Sequence, residues 1–235
     1  MSAELENLAA EMYRGQTPSM WLKVSYPSLK PLASYVTDLV KKLDFLSNWT
    51  EQGLPPVVWL PGIHFTHSFL TATLQKAARK TKVAIDEITF DFEFLYSGGD
   101  NPGGVGGSSE GSGDVQGGAG GNATQVTEAA ESGVYINGLY LEGAAWDQKK
   151  ERLVECEAKK LYTEAPIIWL KPVLRENVKE FAHYSCPLYR TSERRGILST
   201  TGISTNFVMP IRLPSVEKSE HWILRGVALL AQLDD

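Results

Sequence analysis

Between Leu32 and Trp49 the apolar residues Leu32, Tyr35, Val36, Leu39, Val40, Leu43, Leu46 and Trp49 recur at steps of three and four. That spacing puts them along one stripe of a helix of about five turns. Pro31 suits the first helical turn, and Gly53 followed by Pro55 and Pro56 is a stop signal. Opposite the stripe lie Asp38, Lys41, Lys42 and Asn48. Further on the period changes. Ile88, Phe90, Phe92 and Phe94 alternate with Thr89, Asp91 and Glu93, which is the two-residue period of a half-buried strand with its acids on the wet face. Helical pattern first and strand pattern after it is the signature of an α+β fold.

The remaining segments extend this reading. Glu4 to Arg14 fits a short helix with Leu5, Leu8, Ala9 and Met12 on one face, ended by Gly15. Thr17 to Pro31 is a connector that Pro27 and Pro31 keep from being helical. Val57 to Leu60 is a short apolar run closed by Pro61-Gly62. A further helix is predicted from Thr66 as N-cap, with Phe69, Leu70, Leu74, Ala77 and Ala78 as its apolar face and Lys76, Arg79, Lys80 and Lys82 near its C-terminal end. Val134–Leu141, Ile167–Leu170, Tyr184–Tyr189 and Phe207–Leu213 are strand candidates, and Trp222–Leu233 reads as a strand buried on both faces. Many strands with short polar turns predict an antiparallel sheet or barrel. The expected organisation is a helical subdomain over 1–82 and an antiparallel β-barrel-like subdomain over 83–235. A flexible Gly-rich insertion, 97–132, would lie between strands. Within it, residues 97–122 hold more than half of the 21 glycines and almost no large apolar side chain, too little to offset ordering entropy.

Composition excludes some functions. With 235 residues, 43% of them hydrophobic and 22% charged, the sequence suffices to bury a core without disulfides or metals. A net charge of -5 argues against a nucleic-acid binder, because the basic clusters are only pairs such as Lys41-Lys42 and Arg194-Arg195. Two cysteines, Cys156 and Cys186, are too few for a disulfide scaffold and are expected as free thiols in a reducing compartment. No apolar run is long enough to span a bilayer, so no membrane partner is expected.

Chemistry-bearing motifs are scarce. There is no GxxxxGK[ST] phosphate loop. Residues 118–123 match GxGxxA formally, but inside a Gly-rich tract with neither strand nor helix beside it. His64 and His67 would share a helical face, yet no acidic residue close in sequence completes a metal site. Cys186 with His183 resembles a thiol–base pair, but in a strand the two positions point to opposite faces. Asp91 and Glu93 mimic a carboxylate pair without further support. No catalytic, cofactor-binding or metal-binding residue is therefore assigned, and a structural or interaction role is expected. Two other readings stay open: a binding barrel using Phe90, Phe92 and Phe94, and a thiol hydrolase using Cys186.

Several strings go beyond composition. Tyr26-Pro27-Ser28-Leu29-Lys30-Pro31-Leu32 runs into a helix ending in Phe45-Leu46 and Trp49. Trp59-Leu60-Pro61-Gly62 precedes Ser68-Phe69-Leu70-Thr71-Ala72, then Leu74-Gln75, Ala78-Arg79-Lys80 and Ile85-Asp86. Gly133-Val134-Tyr135-Ile136-Asn137-Gly138-Leu139-Tyr140-Leu141-Glu142-Gly143-Ala144 leads to Trp146-Asp147, and later comes Pro187-Leu188-Tyr189. This succession resembles the C-terminal domain of dynein heavy chains, most closely those of axonemal type. The resemblance covers the whole sequence apart from the Gly-rich tract. Ile63–Ser68 departs from the family's usual aromatic and Pro-Gln or Asn-Gln residues.

The resemblance implies a non-catalytic domain packed on the AAA+ ring of the same heavy chain. Its implied role is to modulate ATP-driven movement along microtubules in cilia or flagella. Intermediate chains, light chains and microtubules would be met only through the parent complex. Trp21, Tyr26, Trp59, Phe69, Gln75, Arg79, Tyr140 and Trp146 are the candidate interdomain or core anchors. Because the family's domain follows a very long polypeptide, a sequence starting at Met1 is expected to be a fragment, a truncated gene product or a standalone derivative.

Overall fold

The structure, a computed structural model, describes residues 3–26, 28–95, 126–194 and 206–234. Helix α1 (Ala3–Tyr13) and the single turn α2 (Ser19–Leu22) precede the long helix α3 (Leu32–Gln52). Pro31 is the N-cap of α3, and Gly53, at φ +89, ends it with its N–H on the Trp49 carbonyl. Strand β1 (Val57–Trp59) leads through a 3-10 turn, Leu60–Gly62, into α4 (Thr66–Thr81). The expected N-cap is displaced by one residue. The Thr66 hydroxyl turns back to donate to the Ile63 carbonyl at 3.1 Å, so Phe65 takes the cap position and the Phe69 N–H reaches its carbonyl. Arg79 and Lys80 lie in the last turn, where cations suit the helix dipole.

Among the described residues ten further strands follow, with one short α-helix and two 3-10 turns. The first sheet has the order β1-β3-β8-β2, built with β2 (Ile88–Leu95), β3 (Val134–Asn137) and β8 (Ile167–Leu174). The second has the order β10-β9-β11-β4-β7. Its strands are β4 (Tyr140–Glu142), β7 (Tyr162–Glu164), β9 (His183–Tyr189), β10 (Phe207–Pro214) and β11 (Ala228–Leu230). A separate hairpin joins β5 (Ala145–Asp147) to β6 (Arg152–Val154). Helix α5 (Ser219–Leu224) precedes β11. Residues of both larger sheets share one core, including Ile136, Ile168 and Leu170 from the first and Leu188, Ile211 and Leu229 from the second.

The α+β class stands. The described strands form two open sheets and a hairpin rather than a closed barrel, and the pairing is not wholly antiparallel. β1 runs parallel to β3, and β11 runs parallel to β9. The Gly-rich insertion falls largely outside the described residues.

Three strand expectations need correction, each for a local reason. Val134–Leu141 is two strands, because Gly138 at φ +80 turns the backbone out of the first sheet and into the second. Trp222–Leu233 is not one strand. Trp222 belongs to α5, Gly226 at φ +66 follows the end of that helix, and only Ala228–Leu230 is extended. Asp91 is not on a wet face. It is buried, and Arg212 Nη2 from β10 donates to its Oδ1 at 2.6 Å, an ion pair between the edge strands of the two sheets.

Candidate functional site

Helix α3 divides its apolar residues between two directions. One side faces the protein. Tyr35 is buried, and Phe45 and Trp49 pack against the core. The rings form an edge-to-face relay, Trp59 to Phe45 at 5.8 Å, Phe45 to Trp49 at 5.7 Å and Trp49 to Phe69 at 6.1 Å. Gly62 and Gly138 let the Trp59 ring lie flush: a Cβ at Gly62 would sit 2.7 Å from Trp59 Cε3, and one at Gly138 would sit 2.4 Å from its Cδ1.

Lys42 also turns inward. Its ammonium pairs with Asp38 one turn back. It lies 4.3 Å from the Tyr26 ring centroid and 5.3 Å from that of Trp59. Burial lowers the Lys42 pKa although the Asp38 carboxylate works the other way.

The other side of α3 is only about half covered among the described residues. Val36, Val40, Leu43 and Leu46 are 42%, 49%, 55% and 39% exposed, at helical spacing. Helix α1 adds to this. None of its residues is buried, and Leu5 and Met12 are exposed. It is tied to the start of α3 by the Leu32 N–H on the Gly15 carbonyl at 2.8 Å and by the Thr17 hydroxyl on the Lys30 carbonyl at 3.0 Å. These exposed apolar side chains make the outer side of α3 a candidate contact surface.

The sequence-predicted anchors do not form one site. Tyr26, Trp59 and Phe69 gather on the inner side of α3, where Tyr26 stacks on Tyr35 at 5.4 Å. Trp21 is half-buried on α2. Gln75 and Arg79 are exposed on α4. Tyr140 is half-buried on β4, opposite Leu230 and Glu164. Trp146 lies against Phe94 at 4.6 Å, on the hairpin.

A family model for the C-terminal domain of the dynein heavy chain matches residues 1–231. The protein belongs to that family. Over 234 residues it is 43% identical to dynein axonemal heavy chain 1 of Mus musculus, covering 100% of this sequence and 5% of that protein. Over 235 residues it is 44% identical to dynein axonemal heavy chain 12 of Homo sapiens, covering 100% of this sequence and 7% of that protein. Dynein axonemal heavy chain 3 of Homo sapiens is likewise 44% identical over 235 residues, with 5% of its length covered. The sequence thus spans only a small part of these relatives.

In this dynein domain the motifs considered for chemistry have structural surroundings. Cys186 is fully buried, and burial pushes its thiol far above the usual range. His183 is on the other face of β9, its Nδ1 2.8 Å from the Phe181 carbonyl. His64 precedes α4, whereas His67 is inside it with Nε2 2.9 Å from the Phe207 carbonyl. Among the described residues no group of three His, Cys, Asp or Glu side chains converges on a metal position. Burial disfavours the ionised Glu93, but Lys179 and Lys171 outweigh it and hold the carboxyl below its usual range. Phe90 and Phe92 are core residues that also edge an open groove. Sequence reasoning missed Val36, Val40 and Leu43 as a separate outer face, Lys42 as an inward cation and Gly62 with Gly138 as the walls of Trp59.

Proposed function

We propose that this protein is the non-catalytic C-terminal domain of an axonemal-type dynein heavy chain, which docks on the AAA+ ring of its own motor. There it modulates ATP-driven movement along microtubules in the ciliary or flagellar axoneme. Intermediate chains, light chains and microtubules are reached through the parent complex. The ATPase sites belong to the ring, in keeping with the lack of a phosphate loop in this sequence. The labour divides along the sequence: residues 1–82 carry the docking face, and residues 83–235, joined by β1, form the β part.

The observation that carries this reading is the uncovered stripe Val36, Val40, Leu43 and Leu46 on α3. Family membership supports the choice of the ring as partner. The test is made in the intact heavy chain, where the domain is tethered to the ring, by hydrogen exchange over α3 with ATPase and gliding velocity as further readouts. Val40→Asp with Leu43→Asp is expected to raise exchange along the outer face of α3 and to change both activities, with the circular dichroism spectrum unchanged. Unaltered exchange, ATPase and velocity in the folded double variant would refute docking through α3.

A further inference from the structure

A small cleft opens where the inner side of α3 meets the Leu60–Gly62 turn, the start of α4, the end of β9 and the C-terminal stretch. Its polar lining is Tyr26, Lys42, His64, Thr66, Arg190 and Gln232, set among apolar Leu60, Pro61, Ile63 and Ala231. The charges in this lining are not balanced alike. The Lys42 ammonium has the Asp38 carboxylate and two aromatic faces. Arg190 has no such partner: none of the ion pairs among the described residues includes it. Its Nη2 donates to the Thr66 hydroxyl at a long 3.4 Å, and its Nε is enclosed without an acceptor.

An enclosed water could accept from Nε but would leave the charge in place. A half-buried guanidinium whose Nε is enclosed is under-solvated unless an anion meets it, and its planar fork matches an oxyanion. His64 reports the same excess of positive charge. Its pKa is lowered by burial and then by the charges of Arg190 and Lys42.

We propose that this cleft is a binding site for one small oxyanion, a carboxylate or a phosphate-sized group. Arg190 is its donor, through the Nε–H that has no acceptor and a guanidinium that Thr66 holds only by a long hydrogen bond. The proposal is independent of docking through α3, whose outer side faces elsewhere.

The test compares thermal unfolding of the parent protein and of Arg190→Gln in chloride, acetate, sulfate and phosphate at matched ionic strength. Sulfate and phosphate stabilise folded proteins generally, so the difference between the two proteins is the readout. The expected result is an oxyanion-dependent rise in Tm larger by about 3 °C in the parent than in Arg190→Gln. A response to acetate as strong as that to phosphate assigns the site to a side-chain carboxylate of another segment. A response to phosphate and sulfate alone assigns it to a free tetrahedral anion. Equal shifts in both proteins overturn the proposal and leave Arg190 to water. If Arg190→Gln does not fold, the arginine Nε–H resonances of the parent decide. One of them must move saturably as phosphate is added, and a linear or absent response overturns the site.

Discussion

Gly138 sits where the backbone leaves the first sheet for the second, and replacing it with alanine meets two independent penalties. The residue has φ +80, a left-handed conformation that costs a residue with a Cβ about 1–2 kcal/mol. The added Cβ would lie 2.4 Å from Trp59 Cδ1, 2.6 Å from its Nε1 and 3.1 Å from Pro61 Cδ. Trp59 cannot retreat, because Phe45 stands edge-on at 5.8 Å and Gly62 touches the opposite side of the indole. Forced overpacking of this kind adds about 1–3 kcal/mol. The sum is about 2–5 kcal/mol, or about 4–20 °C in Tm for a protein of this size. Urea unfolding followed by tryptophan fluorescence gives the free energy, and differential scanning calorimetry the Tm. Trp59→Leu provides the control. In Gly138→Ala/Trp59→Leu the steric part disappears and the backbone part stays, so the two substitutions must couple by about 1–3 kcal/mol. A single variant within about 1 kcal/mol of the parent, or strict additivity of the pair, would refute this account of the turn.

Asp91→Asn keeps an amide oxygen to accept from Arg212 Nη2 but removes the negative charge, leaving a largely buried guanidinium with neutral acceptors and the Phe92 and Phe181 rings. Urea unfolding is expected to show a loss of about 3–5 kcal/mol, with much of it recovered in Asp91→Leu/Arg212→Met. Val40→Asp/Leu43→Asp gives up the covered half of two apolar side chains, so its free energy of unfolding should fall by about 2–3 kcal/mol with the fold retained. For His64 the folded-state pKa lies below the ordinary value because of burial and the nearby cations, so the unfolded state takes up the proton first as pH falls. Stability is therefore lost as pH drops below about 6.5, and His64→Gln should flatten that part of the stability–pH curve. An NMR titration placing His64 at or above the ordinary histidine value would refute the cationic environment.

The helices were legible because their signals are local. Pro31 and Gly53 bound α3 where the spacing puts its ends, and the alternation over 88–94 marks β2. What the sequence hid depends on partners far along the polypeptide. Asp91 alternates with phenylalanines just as a solvated acid would. Only the approach of Arg212, remote in sequence, turns its position into an interior one. The apolar run 222–233 carries no period to separate helix from strand. The decision rests on Gly226 and on Ile223 and Leu224 pointing outward. The aromatic anchors could be named but not sorted, since nothing local tells Trp59, walled by two glycines, from Trp21 on an isolated turn.

Helix α3 shows why a stripe does not identify what covers it. Tyr35, Phe45 and Trp49 bury one half of its apolar surface within this domain, and Val36, Val40, Leu43 and Leu46 offer the other half outward. Fully burying a Val or Leu is worth about 1.5–3 kcal/mol, so covering the exposed half of these four contributes about 4 kcal/mol. Bringing two free molecules together costs about that much or more in lost translation and rotation, which leaves nothing over for a stable complex through this stripe alone. A partner on the same polypeptide changes the balance. Tethering makes the contact intramolecular, with an effective concentration set by the connecting segment, and a few kcal/mol then suffices to hold the two surfaces together. The size of the uncovered face thus favours a tethered partner, as the proposed docking requires, over one that must be captured from solution.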